Sequence, residues 1–270
     1  MSGSLVSSMP AEYFGARALA AEQRWLEDLR RRYHHRRFVP PDPLEVLYGY
    51  GDLRDREIVA LIASALAYGN VKAMLPAIRG VLKTLSPSPA ETLRSARRAS
   101  LRRDLRGFRY RFTTGDQLAR LLAAIGIVIA EHGRLEACFG ANLDDDDETI
   151  VPALGAFVEA LTDAAGAPLP HLLPHPADGS ACKRLSLFLR WMVRRDAVDP
   201  GGWNSIGRHQ LIMPLDTHVH RTALSRGWTR RRTADLVAAM EITAFLRAIR
   251  PDDPLRYDFA ITRPGIRREA

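Results

Sequence analysis

Cysteine is scarce in this chain of 270 residues, which holds only Cys138 and Cys182. Two thiols exclude a disulfide framework and cannot alone supply the ligands of an iron–sulfur cluster. Neither lies in a CxxC pair or in any spacing suited to zinc. Long apolar runs are also missing. None reaches the ~18–20 residues a membrane-spanning helix needs, and residues 1–10 carry no signal-peptide core. These absences set the expectation of a reducing, cytoplasmic protein with no membrane partner, and nothing in the sequence calls for a cofactor. No stretch alternates apolar and polar residues as a half-buried strand would, and no internal repeat is visible, so the expected fold class is all-α. The third scarcity is lysine. Lys72, Lys83 and Lys183 are the only lysines among 39 basic residues, and the rest are arginine.

What the chain has in excess is positive charge, with 39 Lys and Arg against 31 Asp and Glu for a formal net charge of +8. A polyanion is the natural partner of such a surface, and double-stranded DNA is the expected one. An arginine-rich composition without functional meaning is the competing explanation. Because arginine fills nearly every cationic position, each retained lysine marks a place where an amine, not only a charge, is required.

Apolar residues at helical spacing predict helices over 54–66, 71–85, 116–132, 149–164, 181–195, 216–225, 233–250 and 255–262. The basic run at 30–37 reads as a solvated helix end. Proline clusters at 40–43, 86–89 and 168–176 break the pattern. Residues 1–40 are expected as an N-terminal extension packing on a body of residues 41–265. Between Arg94 and Arg111, eight arginines face one acid, Asp104. That segment ends in Phe108-Arg109-Tyr110-Arg111-Phe112. Interleaved aromatic and basic residues suit phosphate contact with base stacking, and a plain surface helix with an anchored end fits equally well. The acidic run 144–148 is expected to open the following helix, where negative charge complements the dipole. Its spacing does not suit a metal loop, and no metal site is assigned.

Two residues stand out chemically. Ser180 or Asp178 is expected to cap the helix from Ala181, which sets Lys183 in the first turn. The helix N-terminus and neighbouring Arg184 both disfavour an ammonium there, the direction a nucleophilic amine requires. Asp216 precedes another helix and reads first as its cap. A capping carboxylate that faces a cavity also stabilises a developing cation. His218 and His220 are two apart, diverge on a helix and cannot share a metal.

The segment Leu215-Asp216-Thr217-His218-Val219-His220-Arg221 resembles the V-D-T-H-V-x-R signature of the helix-hairpin-helix DNA glycosylase superfamily, typified by endonuclease III. Lys183, in Cys182-Lys183-Arg184-Leu185, occupies the place of that family's Schiff-base lysine. Ala63-Ser64-Ala65-Leu66-Ala67-Tyr68-Gly69-Asn70 resembles its helix-to-turn segment near the lesion. Tyr257-Asp258-Phe259-Ala260 is similar to an ending found in a widespread uncharacterised bacterial family. The resemblance implies a two-lobed helical fold and a base-excision glycosylase with AP-lyase chemistry. Lys183 would be the nucleophile and Asp216 its partner, with Ser64, Tyr68, Asn70, Arg109, Arg111, Trp203, His218 and Arg221 toward the DNA or the flipped base. Two features depart from that family. Pro176-Ala177-Asp178-Gly179-Ser180 replaces the usual L-P-G-V-G hairpin, and the separation of 33 residues between Lys183 and Asp216 is wide. Both are nearer to the archaeal 8-oxoguanine glycosylase branch, which points to an oxidised purine. The family's four-cysteine cluster is absent. A non-catalytic DNA-binding or damage-sensing protein on this fold, and an unrelated helical adaptor, are the alternatives.

Overall fold

A computed structural model describes residues 15–268, so the first fourteen residues of the expected N-terminal extension lie outside the described residues. The fold is all-α. In chain order the helices are α1 (Ala16–Tyr33), α2 (Leu53–Ala65), α3 (Val71–Thr84), α4 (Pro89–Ser95) and α5 (Arg98–Asp104). After these come α6 (Gly115–His132), α7 (Leu135–Gly140), α8 (Val151–Ala165), α9 (Lys183–Val193), α10 (Thr217–Arg226), α11 (Leu236–Ile249) and α12 (Asp258–Arg268). Two short strands, β1 (Arg109–Tyr110) and β2 (Thr113–Thr114), pair antiparallel between α5 and α6. Two-residue strands are too short for period-two patterning to announce them, so this hairpin departs from the strand-free expectation.

The apolar side chains gather into two cores. The larger is built around α2, α6, α8 and α9. Every residue of α2 from Glu57 to Ala65 is buried, because neighbours cover it on all faces. Leu118, Leu121, Leu122 and Ile125 of α6 are fully buried. Each such side chain contributes roughly 1.5–3 kcal/mol relative to exposure, an upper bound on the net gain. Gly126 permits the tight approach of α4, since a Cβ there would lie 2.6 Å from the Leu93 carbonyl oxygen. The smaller core joins α1, α10, α11 and α12 through Leu26, Val219, Ala223, Trp228, Phe245 and Tyr257. α1 is thus part of this core, not an appendage. Its Glu22 accepts hydrogen bonds from Arg226 and Trp228, and its Glu27 from Arg256 and Tyr257.

The chain passes between the cores at places that matter for the site. Ala181 belongs to the smaller core, whereas Cys182 and Leu185 belong to the larger. Ile212 lies in the larger and Met213 and Leu215 in the smaller. The segments bearing Lys183 and Asp216 therefore both start on the seam.

Several element boundaries differ from expectation. α9 begins at Lys183, not Ala181, since Ser180 bridges to Asp235 and Ala181 is drawn into the smaller core. Neither Ser180 nor Asp178 caps it. The Ser180 hydroxyl instead accepts the N–H of Cys182. The acidic run lies in the loop before α8, with no acid in that helix's first turn. There the Asp147 carboxylate accepts the N–H of Asp144, and Gln210 donates to the carbonyls of both residues. The arginine-rich stretch runs from the end of α4 through α5 into the β1–β2 hairpin.

Candidate active site

Lys183 is the first residue of α9, and its amine points across the seam. Nζ lies 3.8 Å from Asp216 Oδ2, with the lysine side chain 38% exposed and the aspartate 16%. The amine is therefore reachable from outside while its carboxylate partner is largely enclosed. Asp216 is the N-cap of α10, and its Oδ1 accepts the N–H groups of His218 and Val219 at 2.9 and 2.8 Å. One carboxylate oxygen is spent on the cap, which fixes the side chain, and the other is left for the amine.

The turn that presents Lys183 is strained. Cys182 adopts φ 45° and ψ 32°, a left-handed conformation that costs a non-glycine residue about 1–2 kcal/mol. It is held by its N–H bond to Ser180 and by its thiol, 3.5 Å from the Pro174 carbonyl oxygen. Burial pushes that thiol up to about 11, so it is a packed neutral group and not a rival nucleophile.

Arg184 turns the opposite way from Lys183. Its guanidinium donates to the Ala65 carbonyl at 2.7 Å and to the His171 carbonyl, and sits 5.2 Å from the Tyr68 ring centroid. It thereby closes the C-terminal end of α2. The Tyr68 hydroxyl lies 3.0 Å from the Tyr110 carbonyl oxygen and 2.7 Å from Thr113 Oγ1, and the Tyr110 hydroxyl donates to the Tyr68 carbonyl. The α2–α3 turn and the β1–β2 hairpin are therefore locked together beside Arg184. Gly69 has φ +80°, and a Cβ there would lie 2.7 Å from Arg111 Cδ, so any other residue is strained and must displace the Arg111 side chain. Asn70 caps α3 through the N–H of Lys72.

Other expected site residues are placed differently. Ser64 is fully buried and its hydroxyl donates to the Leu61 carbonyl, so it cannot meet a base. Trp203 is buried against Phe139 and Phe188, and its indole N–H donates to Glu57 at 2.9 Å. This corrects its assignment as a stacking residue, because a ring closed into the core has no free face. His218 lies over Gly265, where a Cβ would approach its Nδ1 to 2.5 Å, and His220 is bonded to the Arg231 carbonyl. The two imidazoles thus serve different elements. Arg109, Arg111 and Arg221 are exposed and form no ion pair among the described residues.

Behind Lys183 lies a buried charge network that sequence reasoning missed. Arg190 follows Lys183 two turns on along α9, and Arg194 is the C-cap of that helix. Arg190 pairs with Asp199 and Asp258, and Arg194 with Asp199, Asp253 and Asp196. Burial pushes the Asp258 carboxyl upward, Arg190 opposes that rise, and the charge of Asp216 adds to it. The signal available in the sequence was Arg190 set among Phe188, Leu189, Trp191 and Met192, with Arg194 just beyond them. Among the described residues no group of three or more His, Cys, Asp or Glu is set to hold a metal, and no helix is long and apolar enough to cross a membrane.

No curated protein and no solved structure matches the chain. A family model described as "Protein of unknown function (DUF2400)" matches residues 42–267, most of its length, and the chain belongs to that family.

Proposed function

We propose that the protein is a DNA base-excision glycosylase with AP-lyase activity, acting on an oxidised purine such as 8-oxoguanine. The observation that carries this reading is the 3.8 Å approach of a part-exposed lysine amine to a carboxylate pinned by its own helix cap. The resemblance of the Asp216 segment to the glycosylase signature supports it. So does the set of exposed arginines without acidic partners among the described residues.

In this reading the damaged nucleotide is flipped out of the duplex toward the seam between the cores. The Lys183 amine attacks C1′ of the sugar. An N–C1′ bond forms, the C1′–base bond breaks, and the base leaves with the electron pair and takes a proton from water. Asp216 Oδ2 accepts a proton from the attached nitrogen and delivers it to the ring oxygen. The C1′–O4′ bond then opens and the nitrogen lone pair closes the C=N bond of the Schiff base. Transfer of a C2′ proton to water then expels the 3′ phosphate and nicks the strand. Asp216 also stabilises the cationic sugar on the way.

The test is a single-turnover nicking assay on duplexes holding 8-oxoguanine or an abasic site. Wild type is expected to nick at the lesion, and Lys183→Gln is expected to lose nicking while still binding. Absence of nicking across a panel of lesions, with salt-dependent binding retained, would instead support a non-catalytic damage sensor. That second reading draws on the same contact, because an ion pair across the seam also serves as a structural clasp.

A further inference from the structure

At the end of α9 remote from Lys183 lies a cavity of about 260 Å³, between the turn 195–200 and the segments bearing Arg36, Tyr48 and Arg56. α9 is 11 residues long, so its two ends stand roughly 16 Å apart. The walls of this cavity are firmly built. Tyr48 donates its hydroxyl to the Val198 carbonyl at 2.6 Å, which pins the turn against the body. Asp196 shapes the turn from within, accepting the N–H groups of Val198 and Asp199 at 2.8 and 3.0 Å. Gly201, at φ +63°, lets the chain close behind it, since a Cβ there would lie 2.7 Å from Arg195 Cβ.

Charge in the cavity is unbalanced. Three arginines, Arg36, Arg56 and Arg195, line it. Arg36 and Arg195 are exposed and form no ion pair among the described residues. The Arg36 guanidinium carbon sits 3.6 Å from the Tyr48 ring centroid, which holds the group over the ring. Arg56 donates to the carbonyls of Tyr50, Gly201 and Gly51 at 3.0, 3.1 and 3.3 Å. Those bonds fix its guanidinium but leave the charge uncompensated and two of its N–H groups unused. Two acids also line the cavity, and both are engaged. Asp196 pairs with Arg194 at 2.6 Å and faces His34 at 3.0 Å. Asp199, 1% exposed, is shared by Arg190 and Arg194. Asp258 and Asp253 also pair with those two arginines and do not line the cavity. On the flanking segments Asp42 pairs with Arg263, and Asp52 with Arg54.

We infer that this cavity binds a small phosphate-bearing ligand, whose terminal phosphate is held by Arg36, Arg56 and Arg195. Guanidinium forks match a phosphate in geometry as well as in charge. The Tyr48 hydroxyl is committed to Val198 and its ring to Arg36, so recognition falls to the three cations. The volume lies below the ~300–1,000 Å³ of drug-sized ligand sites, which suits a phosphate on a short stem. A duplex presents a track of phosphates along a groove, whereas these arginines are gathered around one cavity. The inference stands apart from the glycosylase reading. Its site is a helix length away from Lys183, and its test involves neither lesion nor nicking.

Isothermal titration calorimetry of the full chain, at fixed ionic strength and pH 8, tests the site. Inorganic phosphate and glycerol 3-phosphate are each expected to bind at one per chain, and acetate is expected not to compete. Arg36→Gln and Arg195→Gln should each weaken phosphate binding at least roughly ten-fold, the scale of one hydrogen bond to a charged group. The double variant should lose saturable binding, while Arg24→Gln should leave it unchanged. Both cavity arginines are exposed, so the variants should keep the wild-type urea midpoint, which separates loss of the site from loss of the fold. No saturable phosphate binding by wild type, binding retained in the double variant, or equal competition by acetate would overturn the site. Displacement of phosphate by an intact duplex, with both single variants weakening duplex binding as much as phosphate binding, would give these arginines to the DNA backbone and overturn the small-ligand assignment.

Discussion

Lys183 and Asp216 meet across the seam of the two cores, Nζ to Oδ2 at 3.8 Å, while Asp216 Oδ1 is held by the N–H groups of His218 and Val219. The two oxygens therefore separate by substitution. Asn keeps a capping oxygen but loses the anion, whereas Ala loses both. Asp216→Asn is expected to stay within about 0.5 kcal/mol of wild type in urea unfolding, and Asp216→Ala to lose about 1 kcal/mol, the usual worth of a cap. Both should lower single-turnover nicking by roughly 100-fold or more, the scale of a lost acid–base partner. Equal stability loss in both variants, with nicking unaffected, would reduce Asp216 to a cap.

Arg109 and Arg111 flank the hairpin tip without acidic partners among the described residues. If each neutralises one phosphate, the slope of log affinity against log salt should fall by about 0.9 for each arginine changed to glutamine. Arg24→Gln, an exposed arginine of α1, serves as the control and should leave the slope unchanged. Slopes measured by fluorescence anisotropy between 50 and 200 mM salt decide the point.

His171 supports the rings of both Tyr68 and Phe112. Burial, and then the charge of Arg184, hold its imidazole below the ordinary value of 6.5. The unfolded chain then binds the proton at a higher pH than the folded chain does, so stability rises with pH in this window. The contribution is complete above pH 6.5 and is lost as pH falls to and through the lowered folded value. Hydrogen exchange, corrected for its intrinsic rate, should show the Gly115 amide, bonded to the Phe108 carbonyl, losing protection between pH 7.5 and 5.5. The loss should be smaller in His171→Phe. Identical pH profiles in the two proteins would remove His171 from the hairpin's support.

Arg190 is buried between Asp199 and Asp258. Arg190→Met strands the Asp258 carboxylate in the core, leaves Asp199 with Arg194 alone, and should cost about 3–5 kcal/mol. Asp258→Asn added to it should restore at least about 1 kcal/mol, because one stranded charge is removed. Urea midpoints of the single and double variants measure this coupling. Additive losses would show that the two residues do not act as a pair.

The parts of the fold that announced themselves were those where local pattern and packing agree. Leu118, Leu121, Leu122 and Ile125 lie at helical spacing, and α6 forms within a residue of its expected start. Ser64 misled because it follows the same apolar run into a part of α2 that packing encloses on every face. Trp203 sits among Gly201, Gly202 and Ser205, with no local sign of burial, and its partner Glu57 comes from 146 residues away. Arg190 and Arg194 find their acids at positions 199, 253 and 258, pairings that no local window contains. The aromatic–basic alternation at 108–112 was visible as a pattern. Which ring faces outward depends on the Tyr110–Thr113 register, which only the folded hairpin supplies.

Borohydride trapping tests the lysine chemistry most directly, because reduction of a Schiff base leaves a stable bond between the amine nitrogen and C1′. With wild type and a duplex carrying 8-oxoguanine or an abasic site, a covalent complex is expected, and peptide mapping should place the adduct on Lys183. Lys183→Gln should give none. No complex across the lesion panel, or a complex of equal yield with Lys183→Gln, would contradict the assignment of Lys183 as the nucleophile.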